Sequence, residues 1–169
     1  PLGHSFSKNY FNQKFVDENM DAVYENYEIA TIDSLLEIVD SNPELRGLNV
    51  TIPYKEKVIS YLDNISPEAR AIGAVNVIKV EHQGNETILK GYNSDVIGFT
   101  QSIHPQLESY HKKALILGTG GASKAIDFGL KSLGLETVFV SRYERPGTIQ
   151  YSDVTPDIVK EYNVIVNCT

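Results

Sequence analysis

The pattern of hydrophobic and polar positions along the chain switches repeatedly between a helical period and short apolar runs. Tyr10, Phe11, Phe15 and Val16 share one face of a helix near the start, whereas the wholly apolar run at residues 114–117 is typical of a strand buried on both faces. This alternation of strand and helix predicts an α/β fold. The predicted strands are 24–29, 47–52, 75–80, 87–89, 114–117, 136–140 and 164–166, and the predicted helices are 10–16, 32–39, 56–62, 96–103, 125–133 and 156–162. The strands at 75–80 and 87–89 are separated by a turn, and we expect them to form a hairpin at a sheet edge.

A polar, proline-containing segment that begins at His104 separates two parts of this alternation. Such segments are common at domain boundaries. We therefore expect an N-terminal α/β domain over residues 1–104 that binds substrate and carries the catalytic groups. A truncated Rossmann-like dinucleotide-binding domain, of which only the first half is present, is expected over residues 105–169.

Composition and charge disfavour several classes of partner and site. Among 169 residues, 15 lysines and arginines stand against 22 aspartates and glutamates, and the net charge of −7 disfavours a nucleic-acid partner. No apolar run approaches the roughly 18 residues that span a bilayer, and no basic leader precedes an apolar segment, so we expect a cytoplasmic protein with no membrane contact. The single cysteine, Cys168, excludes an internal disulfide, and we expect no metal site.

Both ends of the chain are unusual. The first residue is Pro1 rather than methionine, and residues 1–4 resemble the turn after a strand that is not present. Residues 164–168 resemble an apolar strand with nothing after it to cover its far face. We therefore interpret the chain as a fragment that lacks a first strand and a C-terminal part.

Lys55 is the first candidate for a catalytic residue. The strand before it is ended by Pro53, which has no backbone N–H for a sheet, and Lys55 is left near the carboxyl end of that strand. Open α/β sheets bind ligands at that end.

Asp95 stands where a helix begins, and its default role is to cap that helix. Ser5 and Ser7 either cap the first helix or meet a ligand at its start.

A glycine-rich turn at residues 118–123 lies between a buried strand and a helix, which is the context of a dinucleotide-binding motif. Its small residues let backbone N–H groups approach a pyrophosphate at the positive end of the helix, although Ser123 stands where the strict motif has a third glycine. At the end of the next strand, Ser141 and Arg142 offer donors and positive charge for a 2′-phosphate, which favours NADP over NAD. The alternative is that Arg142 is a solvated surface residue.

Five motifs, taken in order, resemble those of the shikimate dehydrogenase family, and the likeness runs over nearly the whole chain. Each motif is weak alone, whereas all five in one order are hard to obtain by chance. Val77 and Ser94 depart from the family's pattern, which more often has threonine there, and the sequence after Arg142 also departs and leaves the role of Arg145 open. The motifs are His4-Ser5-Phe6-Ser7, Asn49-Val50-Thr51-Ile52-Pro53 with Lys55, Gly73-Ala74-Val75-Asn76, Asn93-Ser94-Asp95 and Gly118-Thr119-Gly120-Gly121-Ala122.

The resemblance implies roles for several residues of these motifs. Ser5 and Ser7 would bind the substrate carboxylate, and Thr51, Asn76 and Asp95 would bind ring hydroxyls. Lys55 and Asp95 would form the catalytic pair. Asn167 begins the segment that would lie beside the nicotinamide. The candidate substrate-binding residues are Ser5, Ser7, Asn49, Thr51, Asn76 and Asp95, and the candidate cofactor-binding residues are Gly118, Thr119, Gly120, Gly121, Ala122, Ser123, Ser141, Arg142 and Asn167.

The activity implied by the resemblance is the NADP-dependent, reversible reduction of 3-dehydroshikimate to shikimate, a step of chorismate and aromatic amino acid biosynthesis. A NAD-using quinate/shikimate dehydrogenase is a close alternative, and a truncated, non-catalytic binding fragment is an alternative of another class. We expect a small-molecule partner, a monomer or homodimer, and no turnover by the fragment alone. Which of Lys55 and Asp95 carries the proton is left open by the sequence.

Overall fold

The computed structural model describes residues 6–84 and 86–169, and the chain divides into two compact units. The first unit is Pro1–Pro43 and the second is Glu44–Thr169. The larger unit includes residues on both sides of the domain boundary predicted between 104 and 105, and that boundary stays a prediction. In the described ranges, no helix is long and apolar enough to cross a membrane.

The first unit has two helices joined by an irregular segment. These helices are α1, Phe6–Asp17, and α2, Ser34–Ser41. Phe11 stacks on Tyr24 with ring centroids 5.4 Å apart. The side-chain amide of Asn12 donates to the Tyr24 carbonyl at 3.0 Å and accepts from the Tyr24 N–H at 2.7 Å. The strand predicted over residues 24–29 is wrong, since the structure forms neither helix nor strand there, and at its start a side chain takes the backbone groups that a neighbouring strand would use.

The first sheet of the second unit has four strands in the order β1-β3-β4-β2. Its strands are β1, Gly47–Asn49; β2, Asn64–Ile65; β3, Val77–Gln83; and β4, Glu86–Tyr92, with helix α3, Pro67–Ile72, between β2 and β3 in the chain. β3 and β4 form the predicted antiparallel hairpin, but its predicted position at a sheet edge is wrong. The two strands are central, because β1 joins β3 in the antiparallel sense and β2 joins β4 in the parallel sense. Ile78, Val80 and Leu89 are buried, as the period of two along a half-buried strand requires.

Two predicted elements around Lys55 are shorter in the structure. β1 ends at Asn49 rather than at residue 52, because the backbone then turns and the Tyr54 N–H donates to the Thr51 carbonyl at 2.9 Å. The helix predicted over residues 56–62 is a 3-10 helix, Lys57–Tyr61. Lys55 therefore lies in the loop that follows the strand, as the sequence predicts.

The second sheet is parallel, with its strands in the order β7-β6-β5-β8. Its elements are β5, Lys113–Leu117; α5, Gly121–Ser132; β6, Glu136–Ser141; β7, Thr148–Gln150; α6, Pro156–Glu161; and β8, Val164–Asn167. Ile116 of the central strand and Leu130 of α5 are fully buried in one apolar cluster. A parallel sheet with this strand order is the first half of a doubly wound fold, and the predicted α/β class is confirmed.

Helix α4, Asp95–Ile103, packs tightly against α5. Val96 of α4 and Ala125 of α5 belong to one buried cluster. Where the two helices meet, a Cβ on Gly129 would lie only 2.9 Å from Thr100 Cγ2, so the close approach requires a residue without a side chain. This seam joins the helix that begins with Asp95 to the helix that follows the glycine-rich turn.

Candidate active site

Lys55 and Asp95 form a direct ion pair, although 40 residues separate them in the chain. Lys55 Nζ lies 2.7 Å from Asp95 Oδ2, and the two side chains are 18% and 35% exposed. The loop that carries the lysine is held at its backbone, because the Val75 N–H donates to the Lys55 carbonyl at 2.8 Å. Asp95 is the first residue of α4. The pair predicted from the sequence motifs is therefore brought together by the loop after β1 and the start of α4.

Asn76 fixes the other oxygen of the carboxylate. Its Nδ2 donates to Asp95 Oδ1 at 2.7 Å, and its own Oδ1 accepts from the Ser94 N–H at 2.8 Å. Asn76 itself is almost fully buried. Since one oxygen of Asp95 accepts from an amide and the other from an ammonium, the carboxylate has a single orientation, and hydrogen bonds to a charged acceptor are among the stronger ones. Asp95 can therefore hold the Lys55 ammonium at a defined position.

Asn93 caps the start of α4, a role that the position of Asp95 at the helix start favours for Asp95 by default. The Oδ1 of Asn93 accepts from the N–H groups of Asp95 and Val96 at 3.1 and 3.3 Å, and its Nδ2 donates to the Ala74 carbonyl at 3.0 Å. The default reading of Asp95 as the cap is therefore wrong, and its carboxylate is free for the ion pair. The signal for Asn93 was present in the sequence, because asparagine commonly bonds to backbone N–H groups a few residues on.

The other candidate substrate residues have different positions. Asn49 ends β1 opposite Val77, and the next residue, Val50, donates its N–H to the Asn76 carbonyl at 2.8 Å, so the end of β1 adjoins the site. Thr51 is exposed in the loop that leads to Lys55. Ser7 is half-buried in α1 of the first unit, and Ser5 lies outside the described residues. The substrate roles of these residues stay predictions.

The glycine-rich turn fits a dinucleotide pyrophosphate. Gly118 has φ of +111°, which favours glycine, and its N–H donates to the Val140 carbonyl at 2.9 Å. α5 begins at Gly121 with no side-chain cap from Gly120, and a Cβ on Gly120 would meet nothing within 4 Å. The space beside Gly120 is thus open next to the start of α5, where the N–H groups of a first helical turn can donate to an anion. Ser123, the departure from the strict motif, is buried and donates to the Gly120 carbonyl at 2.6 Å, so it fits inside the turn.

The end of β6 lies against this turn. Ser141 is buried, and its hydroxyl accepts from the Tyr143 N–H at 3.2 Å, whereas Arg142 is exposed. Arg145, whose role the sequence left open, donates from Nη1 to Thr119 Oγ1 at 3.3 Å. Thr119, Ser123 and Arg145 line one open groove, so the residue after β6 that reaches the glycine-rich turn is Arg145.

Asn167 ends β8, which pairs with β5 on the side opposite β6, next to the glycine-rich turn. It pairs with Leu117 in the β5–β8 ladder, and its Oδ1 accepts from the N–H and hydroxyl of Thr169 at 3.1 and 2.8 Å. The next residue, Cys168, donates its N–H to the Leu117 carbonyl at 2.8 Å, and burial raises the pKa of its thiol. Asn167 therefore lies beside the end of β5, where the glycine-rich turn begins, and its cofactor role stays a prediction. Across the described residues, no group of histidine, cysteine, aspartate and glutamate is arranged to hold a metal ion.

Comparison with known proteins gives consistent matches. A family model described as the shikimate dehydrogenase substrate binding domain matches residues 1–78. The shikimate dehydrogenase (NADP(+)) of Caldicellulosiruptor bescii is 33% identical over 99% of this chain and 62% of its own length. The shikimate dehydrogenase structure from Aquifex aeolicus matches with a TM-score of 0.82 at 32% identity, over 100% of this chain and 65% of that one.

A ligand-bound structure is similar as well. The shikimate 5-dehydrogenase of Thermus thermophilus, solved in complex with NADP(H) and shikimate, matches with a TM-score of 0.81 at 29% identity. The match covers 100% of this chain and 65% of that one. The chain therefore spans less than two thirds of the length of the relatives it matches.

Proposed function

This chain belongs to the shikimate dehydrogenase family, and from that premise we propose that its protein catalyses the NADP-dependent, reversible reduction of 3-dehydroshikimate to shikimate. The observation that carries the proposal is the Lys55–Asp95 ion pair at 2.7 Å, held in place by Asn76. An ammonium fixed in this way, with a dinucleotide turn in the same compact unit, is what ketone reduction by a nicotinamide needs.

Lys55 acts at the oxygen of the reacting ketone. When bound, NADPH supplies the hydride, and negative charge then develops on the carbonyl oxygen. An ammonium carries three N–H donors, one of which goes to Asp95, so Lys55 has donors left to protonate or stabilise that oxygen. Asp95 accepts a hydrogen bond from Lys55 and keeps its Nζ oriented toward that oxygen.

Polar side chains around this pair bind the substrate. Shikimate is a carboxylated ring with several hydroxyls, and each hydroxyl needs a hydrogen-bond partner in the site. Asn49, Thr51 and Asn76 supply such partners near Lys55, and Ser5 and Ser7 keep the carboxylate-binding role that the family resemblance implies.

The second half of the large unit holds the cofactor. The backbone N–H groups of the glycine-rich turn after Gly118 bind the pyrophosphate at the start of α5. Ser141 and Arg142 bind the 2′-phosphate that distinguishes NADP from NAD, and Arg145 adds positive charge next to the turn. Asn167 lies on the nicotinamide side. We further propose that the protein works in the cytoplasm as a monomer or homodimer. Size-exclusion chromatography with light scattering tests the oligomeric state.

The test uses the complete product of the reading frame that encodes this chain. Oxidation of shikimate is followed by the absorbance of NADPH. We expect Lys55→Ala to lower kcat by roughly 10²- to 10⁴-fold with a much smaller change in the KM for shikimate. Lys57→Ala, an exposed lysine two residues away, is the matched control and should leave both constants unchanged. Full turnover in Lys55→Ala would refute the proposed role.

The same assay separates the alternatives. Turnover of quinate with NAD⁺ that equals or exceeds that of shikimate with NADP⁺ would assign the quinate/shikimate activity instead. Binding of NADPH and shikimate without turnover by the complete product would identify a binding protein. For the 169-residue segment by itself, we expect no turnover.

A further inference from the structure

A second ion pair lies beside the catalytic lysine. Glu56 directly follows Lys55, and its Oε1 lies 3.0 Å from Lys124 Nζ in the first turns of α5. The same oxygen would be 3.8 Å from a Cβ on Gly121, the first residue of that helix. The Glu56 and Lys124 side chains are 51% and 41% exposed. A carboxylate from the catalytic loop therefore lies over the start of the helix that follows the glycine-rich turn.

The Glu56 carboxylate places a negative charge at the start of α5, where the field of the helix attracts the anionic cofactor. The start of an α-helix carries a partial positive charge and attracts anions, and the effect falls off within the first turn. Glu56 already meets that field and neutralises the nearby lysine. A pyrophosphate bound by the N–H groups at the start of α5 is a second anion at the same place, so it repels Glu56 and competes with it for Lys124.

We propose that Glu56 sets the affinity of the protein for its dinucleotide, by holding a competing carboxylate at the pyrophosphate end of the site. The inference rests on the proposed function in that the dinucleotide is NADP(H). Because Glu56 and Lys55 are consecutive, the residue that opposes the pyrophosphate belongs to the same loop as the residue that meets the substrate. The catalytic loop is thus held by the Val75 N–H on one side and by Lys124 on the other, and cofactor binding weakens the second attachment.

The two partners of the pair are expected to change cofactor affinity in opposite directions. Glu56→Gln keeps the size of the side chain, removes the repulsion and releases Lys124 toward the phosphates, so the Kd for NADPH should fall about two- to fivefold, the range of a half-exposed charge pair. Lys124→Gln removes the attraction and should raise the Kd by a similar factor. A purely structural role of the pair would weaken binding in both variants.

The measurement is a fluorescence titration of the complete gene product with NADPH, at low and high salt. The matched control is Glu44→Gln, which removes the same charge from another exposed ion pair, with Arg46, and should leave the Kd unchanged. The increase in affinity for NADPH caused by Glu56→Gln should shrink at high salt. In competition with NADPH, the affinity for inorganic pyrophosphate should also increase in this variant, whereas the affinity for adenosine 2′-monophosphate, which lacks the pyrophosphate, should not.

Two outcomes overturn the inference: an unchanged or higher Kd in Glu56→Gln, or an equal gain in Glu44→Gln. They are distinct from failure of the proposed function. If wild type binds NADPH and Glu56→Gln tightens that binding, but shikimate is not oxidised, only the proposed reaction is refuted. If shikimate is oxidised and the Kd does not move, only the role of Glu56 is refuted.

Discussion

The seam between α4 and α5 offers a sharp test of the packing that joins the two halves of the site. Gly129 of α5 faces α4, the helix that begins with Asp95. In Gly129→Ala, the new Cβ would lie 2.9 Å from Thr100 Cγ2 and 3.1 Å from Phe99 Cδ1. Carbon atoms in good contact are about 3.5–4.0 Å apart, so the helices or their side chains must shift by about 0.5–1 Å.

The magnitude follows from two opposing effects. Overpacking a tight site costs about 1–3 kcal/mol, and Thr100 is β-branched and relaxes poorly. Alanine is better than glycine in a helix interior by about 1 kcal/mol. The net change in the free energy of unfolding for Gly129→Ala is therefore about 0–2 kcal/mol of destabilisation.

Gly98 of α4 provides the matched control. It is also a helical glycine, but it is exposed and a Cβ there would meet nothing within 4 Å, so Gly98→Ala should stabilise the protein by about 1 kcal/mol. Urea denaturation of both variants, followed by circular dichroism, cancels the helix-propensity effect in their difference, which we expect to be about 1–3 kcal/mol. Equal stabilisation by the two alanines would show that α4 and α5 are not in tight contact.

Three other measurements test single groups of the second unit. Asn93→Ala removes the cap of α4, and we expect it to lower the free energy of unfolding by about 2 kcal/mol in urea, whereas an unchanged midpoint would contradict the capping role. Hydrogen bonds from Lys90 and Lys79 lower the pKa of Glu81 from 4.5 to about 2. A depressed carboxyl pKa stabilises the folded state above the unfolded pKa and ceases to do so as the pH falls through the folded one, so the stability advantage of wild type over Glu81→Gln should vanish between pH 4.5 and 2 in acid titrations of unfolding. Because burial raises the pKa of Cys168, iodoacetamide at about pH 8 should modify it more slowly than free glutathione, and an equal rate would argue against a buried thiol.

The amino-acid sequence alone is enough to predict the fold class and the main groups of the site. Apolar runs and helical periods are local signals, read within about ten residues, and they predicted the β3–β4 hairpin, the parallel strands and the glycine-rich turn. The motifs that carry Lys55 and Asp95 were equally visible, because each is a short run with a distinct composition. Local signals failed where a contact from elsewhere decided the outcome, as when the amide of Asn12 took the backbone groups of Tyr24 at the start of a predicted strand.

The pairing of the charged groups, by contrast, depends on the folded arrangement of distant segments. Asp95 would serve equally well as a cap if Asn93 did not bond to the helix start and Asn76 did not hold its carboxylate toward Lys55. The Glu56 carboxylate over α5 is likewise invisible in the sequence, where it is one acidic residue after a lysine. Hydrogen bonds and ion pairs act over a few ångströms between segments that are far apart in the chain, and their partners are known only when the fold brings those segments together.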